Sequence, residues 1–226
     1  SRDPEGAGGI QPVAPSPDGR LRLGHGDHER RLRRFPHGHR LVRRAFIVRC
    51  YPPIGPQGRR YAPTVAARSV PARIQWAVDL LDVGADDRIL EIGCGNGVAA
   101  GVVCDALAGS GRMTAIDRSA TAISRARQRN AHHVESGRLL LEHADLTGFS
   151  GSGPPFDQAF AVNVNVFWAA EATAEIERLG QVLRLGGRLI LVYEAPDPDR
   201  MRHELAPRIA TRLAVVGFDT DIETLG

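Results

Sequence analysis

A glycine-rich turn placed directly after a short apolar run is the feature that most constrains the fold of this chain. The run Ile89-Leu-Glu-Ile92 leads without a break into Gly93-Cys-Gly-Asn-Gly97. Glycine lets the backbone adopt a positive φ and approach a ligand closely, because it has no Cβ atom. A helix that begins where the turn ends offers free N–H groups to a carboxylate or a phosphate. The stretch therefore predicts a strand, a turn and a helix that form a ligand-binding corner.

Short apolar runs alternate with helical segments from residue 70 onward. We expect strands at 88–92, 112–116, 139–142, 156–162, 188–193 and 218–225, and helices at 71–81, 98–108, 120–131, 171–183 and 199–216. Gly84 is expected to end the first helix, and the Leu185-Gly-Gly187 turn to precede the fifth strand. Strands separated by helices of this length pair in parallel through right-handed crossovers. The sequence predicts an α/β fold, a doubly wound, mostly parallel sheet with helices on both faces.

The first part of the chain has a different composition. Residues 1–70 hold nine of the 15 prolines, and residues 1–73 carry 15 Arg against five acidic residues. A segment that buries so little apolar surface does not offset the entropy lost on ordering. We therefore expect a largely disordered Arg/Pro-rich segment at 1–69 and a folded domain at 70–226. One alternative stays open: residues 40–51 form a short strand or helix that packs on the domain.

Several binding classes lack support in the composition. The Arg pairs of the first segment suit nucleic acid, but no aromatic residues are interleaved for base stacking, so a solvated tail is favoured. His25, His28, His37 and His39 have no cysteines or scaffold typical of a metal site, and no metal is predicted. The three cysteines show no paired spacing, and no apolar run approaches the roughly 18–20 residues of a membrane span. We expect a cytoplasmic protein without a membrane segment.

Two aspartates follow successive predicted strands. Asp117 ends the second strand, where a carboxylate accepts both hydroxyls of a ribose. Asp145 follows the third strand, in a position to accept an adenine amino group, with Leu146 against the ring. Taken singly, each feature also fits a capping or loop aspartate, and the glycines fit a ligand-free turn. The spacing differs from the dinucleotide fingerprint G-x-G-x-x-G, because residue 98 is Val.

The glycine turn together with both acids resembles the class I S-adenosylmethionine-dependent methyltransferases, over roughly residues 70–226. The resemblance implies a Rossmann-like domain with S-adenosylmethionine as the cofactor. It implies that the glycine turn surrounds the methionine part of the cofactor and that Asp117 holds the ribose. It also implies that Arg118 and Asp145 lie beside the adenine. The cofactor-binding residues implied are Glu91, Gly93, Gly95, Gly97, Asp117, Arg118, Asp145, Leu146 and Asn163.

Acceptor residues are expected after the fourth predicted strand. Asn163-Val-Asn165 differs from the Asn/Asp-Pro-Pro-aromatic run of adenine N6 methyltransferases, and no Cys follows as a cytosine C5 enzyme requires. A small-molecule acceptor is therefore predicted, with Asn165, Phe167 and Trp168 as candidate contacts, although the two aromatic residues also fit a core role. A general base is needed only if the acceptor loses a proton. The candidates are Glu194, His143 and Tyr193.

Three other functions stay open: a nicotinamide-dependent oxidoreductase, a non-catalytic S-adenosylmethionine-binding protein, and an RNA methyltransferase that uses the basic segment. The C-terminus departs from the family pattern, in which two strands follow the last helix. Only residues 218–225 are available here. We therefore expect the final antiparallel strand to be missing, which would leave a sheet edge unpaired.

Overall fold

The computed structural model describes residues 42–50, 70–169, 172–194 and 197–225. The strands in chain order are β1 (Arg43–Cys50), β2 (Arg88–Ile92), β3 (Arg112–Asp117), β4 (Leu139–His143), β5 (Phe156–Val162), β6 (Leu183–Tyr193) and β7 (Phe218–Leu225). The helices are α1 (Ala72–Leu81), α2 (Val98–Ala106), α3 (Ala120–Arg129), α4 (Ala131–Glu135), α5 (Thr173–Val182) and α6 (Ala206–Val215). A 3₁₀ turn, Asn165–Trp168, follows β5, and a short helical turn, Pro198–Arg200, and a π-helical segment, Met201–Leu205, lead into α6.

The strands form one sheet in the order β4-β3-β2-β5-β6-β1-β7. Every strand pair in the described residues is parallel, as the alternating sequence pattern predicts. From β2 the chain builds outward through β3 to β4, and from β5 it builds in the opposite direction through β6. The carboxyl ends of β2 and β5 therefore form the switch point, where sheets of this type bind their ligands.

Helices cover both faces of the sheet. Alternate residues of the central strands, such as Leu90 and Ile92 in β2, belong to a buried cluster that includes residues of α5 and α6. The intervening residues, such as Ile89, are also buried, but they lie outside that cluster. Successive side chains of a strand point to opposite faces, so β2 is buried on both sides. This explains why the central strands appear in the sequence as continuous apolar runs.

Strand β1 occupies an interior position, between β6 and β7. Arg44 pairs with Arg188 of β6, and Arg43 pairs with Phe218 of β7. The apolar residues at its centre are buried, and Ile47 is fully so. Of the two outcomes left open for residues 40–51, the structure has the strand. The domain boundary expected at residue 70 therefore falls too late, while the rest of segment 1–69, including its expected disorder, lies outside the described residues.

The final antiparallel strand is absent from the described residues, as expected, but the unpaired edge that this absence implied is not found beside β6. The position next to the last strand is filled by β1, which comes from the beginning of the chain and runs parallel to both neighbours. β7 lies at the sheet edge, where Asp219 and Asp221 are exposed. Charged side chains on an edge strand discourage pairing with a second sheet.

Three local features differ from the positions that the sequence predicted. Helix α1 ends at Leu81, and Asp82 rather than Gly84 takes the left-handed conformation, with φ +49°. The Leu185-Gly-Gly187 turn lies inside β6, because this strand already begins at residue 183. The helix predicted at 120–131 is divided at Asn130 into α3 and α4.

None of the helices in the described ranges combines the length and the apolar character that a bilayer span requires.

The buried position of β1 generates a stability prediction. Ile47→Ala should lower the free energy of unfolding by about 2–5 kcal/mol, since it removes core methyl groups and leaves a cavity. Its register partner Ile222 is 42% exposed on the edge strand, so Ile222→Ala is the matched control, with an expected loss of less than about 1 kcal/mol. Urea unfolding of both variants measures the difference. Equal losses would contradict the interior position of β1.

Candidate active site

The glycine turn is tied to the neighbouring strand by its own backbone. The N–H groups of Gly93 and Cys94 both donate to the Ile116 carbonyl oxygen of β3, at 2.9 and 3.0 Å. Gly93 has φ +72°, and a Cβ atom at this position would lie 2.6 Å from Cγ2 of Val164. Glycine is required here by both the backbone conformation and the close approach of the next segment.

Asp117 links the turn to the start of α3. Its Oδ2 accepts a hydrogen bond from the Gly95 N–H at 2.9 Å, and its Oδ1 accepts one from the Ser119 N–H at 2.8 Å. A carboxylate oxygen has two lone-pair positions, so each oxygen keeps acceptor capacity for a ligand. Asp117 is therefore held in place by the backbone and still available for binding.

The far end of the turn is held by Asn130, a residue that no sequence pattern singled out. Its buried Nδ2 group donates to the carbonyl oxygens of Gly97 and Ala126, at 2.9 and 3.0 Å. Gly97 has φ +73°, and a Cβ atom there would lie 2.6 Å from the Asn130 Nδ2 atom. The break between α3 and α4 thus places an amide against the turn.

A cavity of about 580 Å³ opens at the switch point, at the carboxyl ends of β2, β3, β4 and β5. This volume is within the range of small-molecule and cofactor sites. The lining residues are Ile92, Gly93, Ile116, Asp117, Arg118, Ala144, Asp145, Leu146, Val162, Asn163, Val164, Asn165, Val166, Ala169 and Glu175.

The structure brings most of the implied cofactor residues together at this cavity. Six of the nine line it, namely Gly93, Asp117, Arg118, Asp145, Leu146 and Asn163. The other three, Glu91, Gly95 and Gly97, lie beneath or behind the lining and shape the turn without forming the cavity wall.

Glu91 is a buried acid below the glycine turn. It is 4% exposed, and its Oε2 atom has no hydrogen-bond partner. Burial, together with the nearby negative charge of Asp117, raises the pKa of this carboxyl to about 8. Glu91 is therefore mostly neutral at pH 7 unless a cation comes close.

Asp145 stays ionised for the opposite reason. Its Oδ1 atom accepts hydrogen bonds from the Gly148 N–H at 2.7 Å and the Thr147 hydroxyl at 2.8 Å. These bonds lower the pKa of the exposed carboxyl. Leu146 beside it is 3% exposed and supplies an apolar contact at the cavity.

Asn163 joins the ends of β5 and β6. Its N–H donates to the Val192 carbonyl oxygen at 2.8 Å, and its Oδ1 accepts from the Glu194 N–H at 2.7 Å. With φ +57°, it is one of two described non-glycine residues in the left-handed region. Asparagine tolerates this conformation better than most residues. The double link fixes the Asn163 side chain at the cavity wall.

Among the predicted acceptor residues, only Asn165 lines the cavity. Phe167 is fully buried in the core, which agrees with the core role left open for it rather than with an acceptor contact. Trp168 packs on Tyr193, with the ring centroids 4.7 Å apart, and it too lies outside the lining. The aromatic pair anchors the turn after β5, which is the alternative left open above.

The three candidate bases do not line the cavity either. Tyr193 is 1% exposed and donates to the Val164 carbonyl oxygen, and burial raises its pKa, which disfavours proton abstraction. Glu194 is paired with Arg73 at 3.1 Å, between Oε2 and Nη1. His143 is exposed, with Nε2 3.1 Å from the Arg118 carbonyl oxygen. Their observed contacts are structural.

Sequence reasoning missed one polar residue of the cavity, Glu175 in the first turn of α5. An acidic residue in a first helical turn is common, because it interacts favourably with the helix dipole. No sequence signal therefore distinguished Glu175 from an ordinary helix-start residue. The missed apolar lining, such as Val166 and Ala169, belongs to the turn after β5, whose path depends on tertiary packing.

His133 lies in the short helix α4, outside the cavity, and is buried. Its Nε2 is 3.1 Å from Oδ1 of Asp105 in α2. Burial lowers the pKa of His133. The neutral ring thus connects α4 to α2.

Together, the parallel sheet, the glycine turn and the acids after β3 and β4 define a Rossmann-like domain that binds a nucleoside-containing ligand at its switch point. A family model described as a methyltransferase domain matches residues 89–187. This range covers the glycine turn, both aspartates, Asn163 and Glu175.

Curated relatives point to the same chemistry. An O-methyltransferase of Pyrenophora dematioidea is 32% identical over 125 residues, covering 52% of this chain and 46% of that protein. The 27-O-demethylrifamycin SV methyltransferase of Amycolatopsis mediterranei (strain S699) is 32% identical over 112 residues, covering 50% and 40%. The chain thus matches less than half the length of these relatives.

Solved structures support the fold. A SAM-dependent O-methyltransferase of Thermotoga maritima superposes with a TM-score of 0.50 at 20% identity, covering 66% of this chain and 52% of the other. A geranyl diphosphate methyltransferase in complex with SAM gives a TM-score of 0.52 at 13% identity, with coverages of 64% and 63%.

Residues 89–187 therefore match a methyltransferase domain, and the relatives and the fold support the class I S-adenosylmethionine-dependent type. The resemblance drawn from the glycine turn and the two acids is confirmed.

The buried Glu91 carboxyl generates a pH prediction. The pKa of Glu91 is near 4.5 in the unfolded chain and about 8 in the folded protein. Its contribution to the free energy of unfolding is therefore complete below pH 4.5 and is lost as the pH rises toward 8. The ligand-free protein should lose stability across this window, on the order of a few kcal/mol.

Glu91→Gln keeps the shape of the side chain but removes the titrating carboxyl, so the stability of this variant should depend less on pH. Urea midpoints at pH 5, 6, 7 and 8 measure this dependence. Glu177→Gln, an exposed position on α5, is the control and should leave the slope unchanged. An unchanged slope in Glu91→Gln would contradict the raised pKa.

Proposed function

We propose that the chain transfers the methyl group of S-adenosylmethionine to a small-molecule acceptor. The observation that carries this proposal is the cavity at the switch point, where Gly93, Asp117 and Asp145 meet. The three residues lie at three successive strand ends, and each offers a different contact. Gly93 offers backbone without a side chain, Asp117 a carboxylate oriented by backbone N–H groups, and Asp145 an ionised carboxylate.

The residues fit the cofactor. Gly93 lets the turn lie directly against Val164, because a Cβ atom there would come within 2.6 Å of Val164 Cγ2. The Asp117 oxygens keep acceptor capacity for ribose hydroxyls. Glu91 has an orphaned Oε2 atom, which suits a positively charged group near the turn. The cavity lining itself contains three acids, Asp117, Asp145 and Glu175, against one base, Arg118. This balance favours a ligand that carries positive charge.

When bound, S-adenosylmethionine supplies a methyl group on a positively charged sulfur. The contribution of the protein to such a displacement is largely proximity and orientation. In this proposal, Asp117 orients the ribose, and Leu146 and Asp145 contact the adenine. Asn163, fixed by the Glu194 N–H, holds the wall of the cavity near the reacting groups.

The relatives support a small-molecule acceptor. One is named for a demethylrifamycin, and the other is an O-methyltransferase. The turn after β5 agrees with this reading, because it contributes side chains of moderate size, Val164, Asn165 and Val166, to the cavity.

Calorimetric titration with S-adenosylmethionine, S-adenosylhomocysteine and NAD tests the proposal. We expect binding of the first two and none of NAD. Asp117→Ala should weaken binding at least about tenfold, since hydrogen bonds to a charged group contribute about 1.5–3 kcal/mol each. Asp219→Ala, on the exposed edge strand, is the control and should bind normally.

Thermal melts of both variants separate lost binding from lost folding. A folded wild-type protein that binds NAD instead, or none of the three compounds, would overturn the proposal.

A further inference from the structure

One acid of the cavity differs from the others in its surroundings. Asp117 and Asp145 both accept hydrogen bonds from backbone N–H groups, and these bonds fix their orientation. Glu175 is partly buried, and its Oε2 atom is fully buried without a hydrogen-bond partner. No described cation forms an ion pair with Glu175, whereas its neighbour Arg178 is held by the Phe149 carbonyl oxygen.

An unpartnered buried carboxylate oxygen is costly, because it has lost water without gaining a donor. Such a group persists where it serves a ligand or a reaction. Glu175 lines the cavity, so the missing donor can be supplied by a molecule bound there.

The position of Glu175 separates it from the cofactor contacts. Most residues assigned to the cofactor lie at the ends of β2, β3 and β4, and Asn163 lies directly after β5. Glu175 lies further along the chain on α5, beyond the 3₁₀ turn. The lining residues contributed by that turn are Asn165 and the apolar Val166 and Ala169. This part of the cavity therefore combines an apolar wall with one strong hydrogen-bond acceptor.

We propose that Glu175 binds the hydroxyl group of a phenolic acceptor and removes its proton during methyl transfer. An apolar ring suits Val166 and Ala169, and the hydroxyl supplies the donor that Oε2 lacks. The inference rests on the proposed function and names the substrate class of the same site.

The proton and electron balance is closed. The acceptor O–H bond breaks and its proton passes to the Glu175 carboxylate. The electron pair that the O–H bond leaves on the acceptor oxygen forms the new bond to the methyl carbon. The bond from that carbon to the sulfonium sulfur breaks, and its electron pair stays on sulfur. Glu175 later returns the proton to solvent. A positioned base of this kind contributes roughly 10²–10⁴ in rate.

The first experiment measures binding without turnover. Phenol, 4-ethylphenol and catechol are titrated into the protein saturated with S-adenosylhomocysteine, with ligand-detected NMR as the readout, and anisole serves as the analogue without a donor. We expect the phenols to bind and anisole to bind at least fivefold more weakly. Glu175→Gln should remove most of this preference, while Glu177→Gln, an exposed position on the same helix, should keep it.

The second experiment measures transfer of labelled methyl groups to the phenols that bind. Glu175→Gln should reduce the rate at least about 100-fold, with S-adenosylhomocysteine affinity unchanged within twofold.

The outcomes are distinguishable. If S-adenosylhomocysteine itself does not bind, the proposed function fails. If it binds but no phenol does, or if phenols bind and the wild type does not methylate them, the phenolic acceptor is wrong. If Glu175→Gln matches the wild type in preference and rate, the role of Glu175 is wrong.

Discussion

The site depends on the carboxylate at the end of β3. Asp117 receives one N–H from the glycine turn and one from the start of α3, so a single side chain joins the turn after β2 to the turn after β3. The Ile116 carbonyl oxygen, one residue earlier, accepts the N–H groups of Gly93 and Cys94. The end of β3 thus organises the backbone of its neighbour, and the cavity wall is already in place before a ligand arrives.

Two carboxyl groups of this site, Glu91 and Asp145, differ in their charge because their surroundings differ. Beneath the turn, burial and the nearby Asp117 charge keep Glu91 largely protonated. At the opening, two hydrogen bonds keep Asp145 ionised. Two carboxyl groups within one site therefore differ in charge at the same pH, because one is desolvated and the other is hydrogen-bonded. A positively charged ligand near Glu91 would favour its ionised form, so ligand binding and proton release are coupled there.

The sequence predicted the parallel sheet well, and it predicted that the acids after β3 and β4 lie at one site, where both line the cavity. Both predictions depend on local patterns: apolar runs, glycine spacing and an acid directly after a strand. It did not predict the roles of Asn130 and Glu175. Asn130 acts through contacts with Gly97, which is distant in sequence, and Glu175 resembles any acid in a first helical turn. The sequence left two roles open for Phe167 for a related reason, since an aromatic residue after a strand suits a pocket wall and a core equally. Tertiary packing decides these cases.

The position of β1 has a consequence for how the molecule assembles. This strand is the earliest described element of the chain, yet it pairs with the last two strands, β6 and β7. Its contacts are among the most non-local in the sheet, and such contacts form slowly because a long loop must close first. During synthesis, β1 emerges early and waits without its partners until the C-terminal residues have left the ribosome. Among the described strands, β7 has β1 as its only neighbour, so β7 is joined to the rest of the sheet through β1.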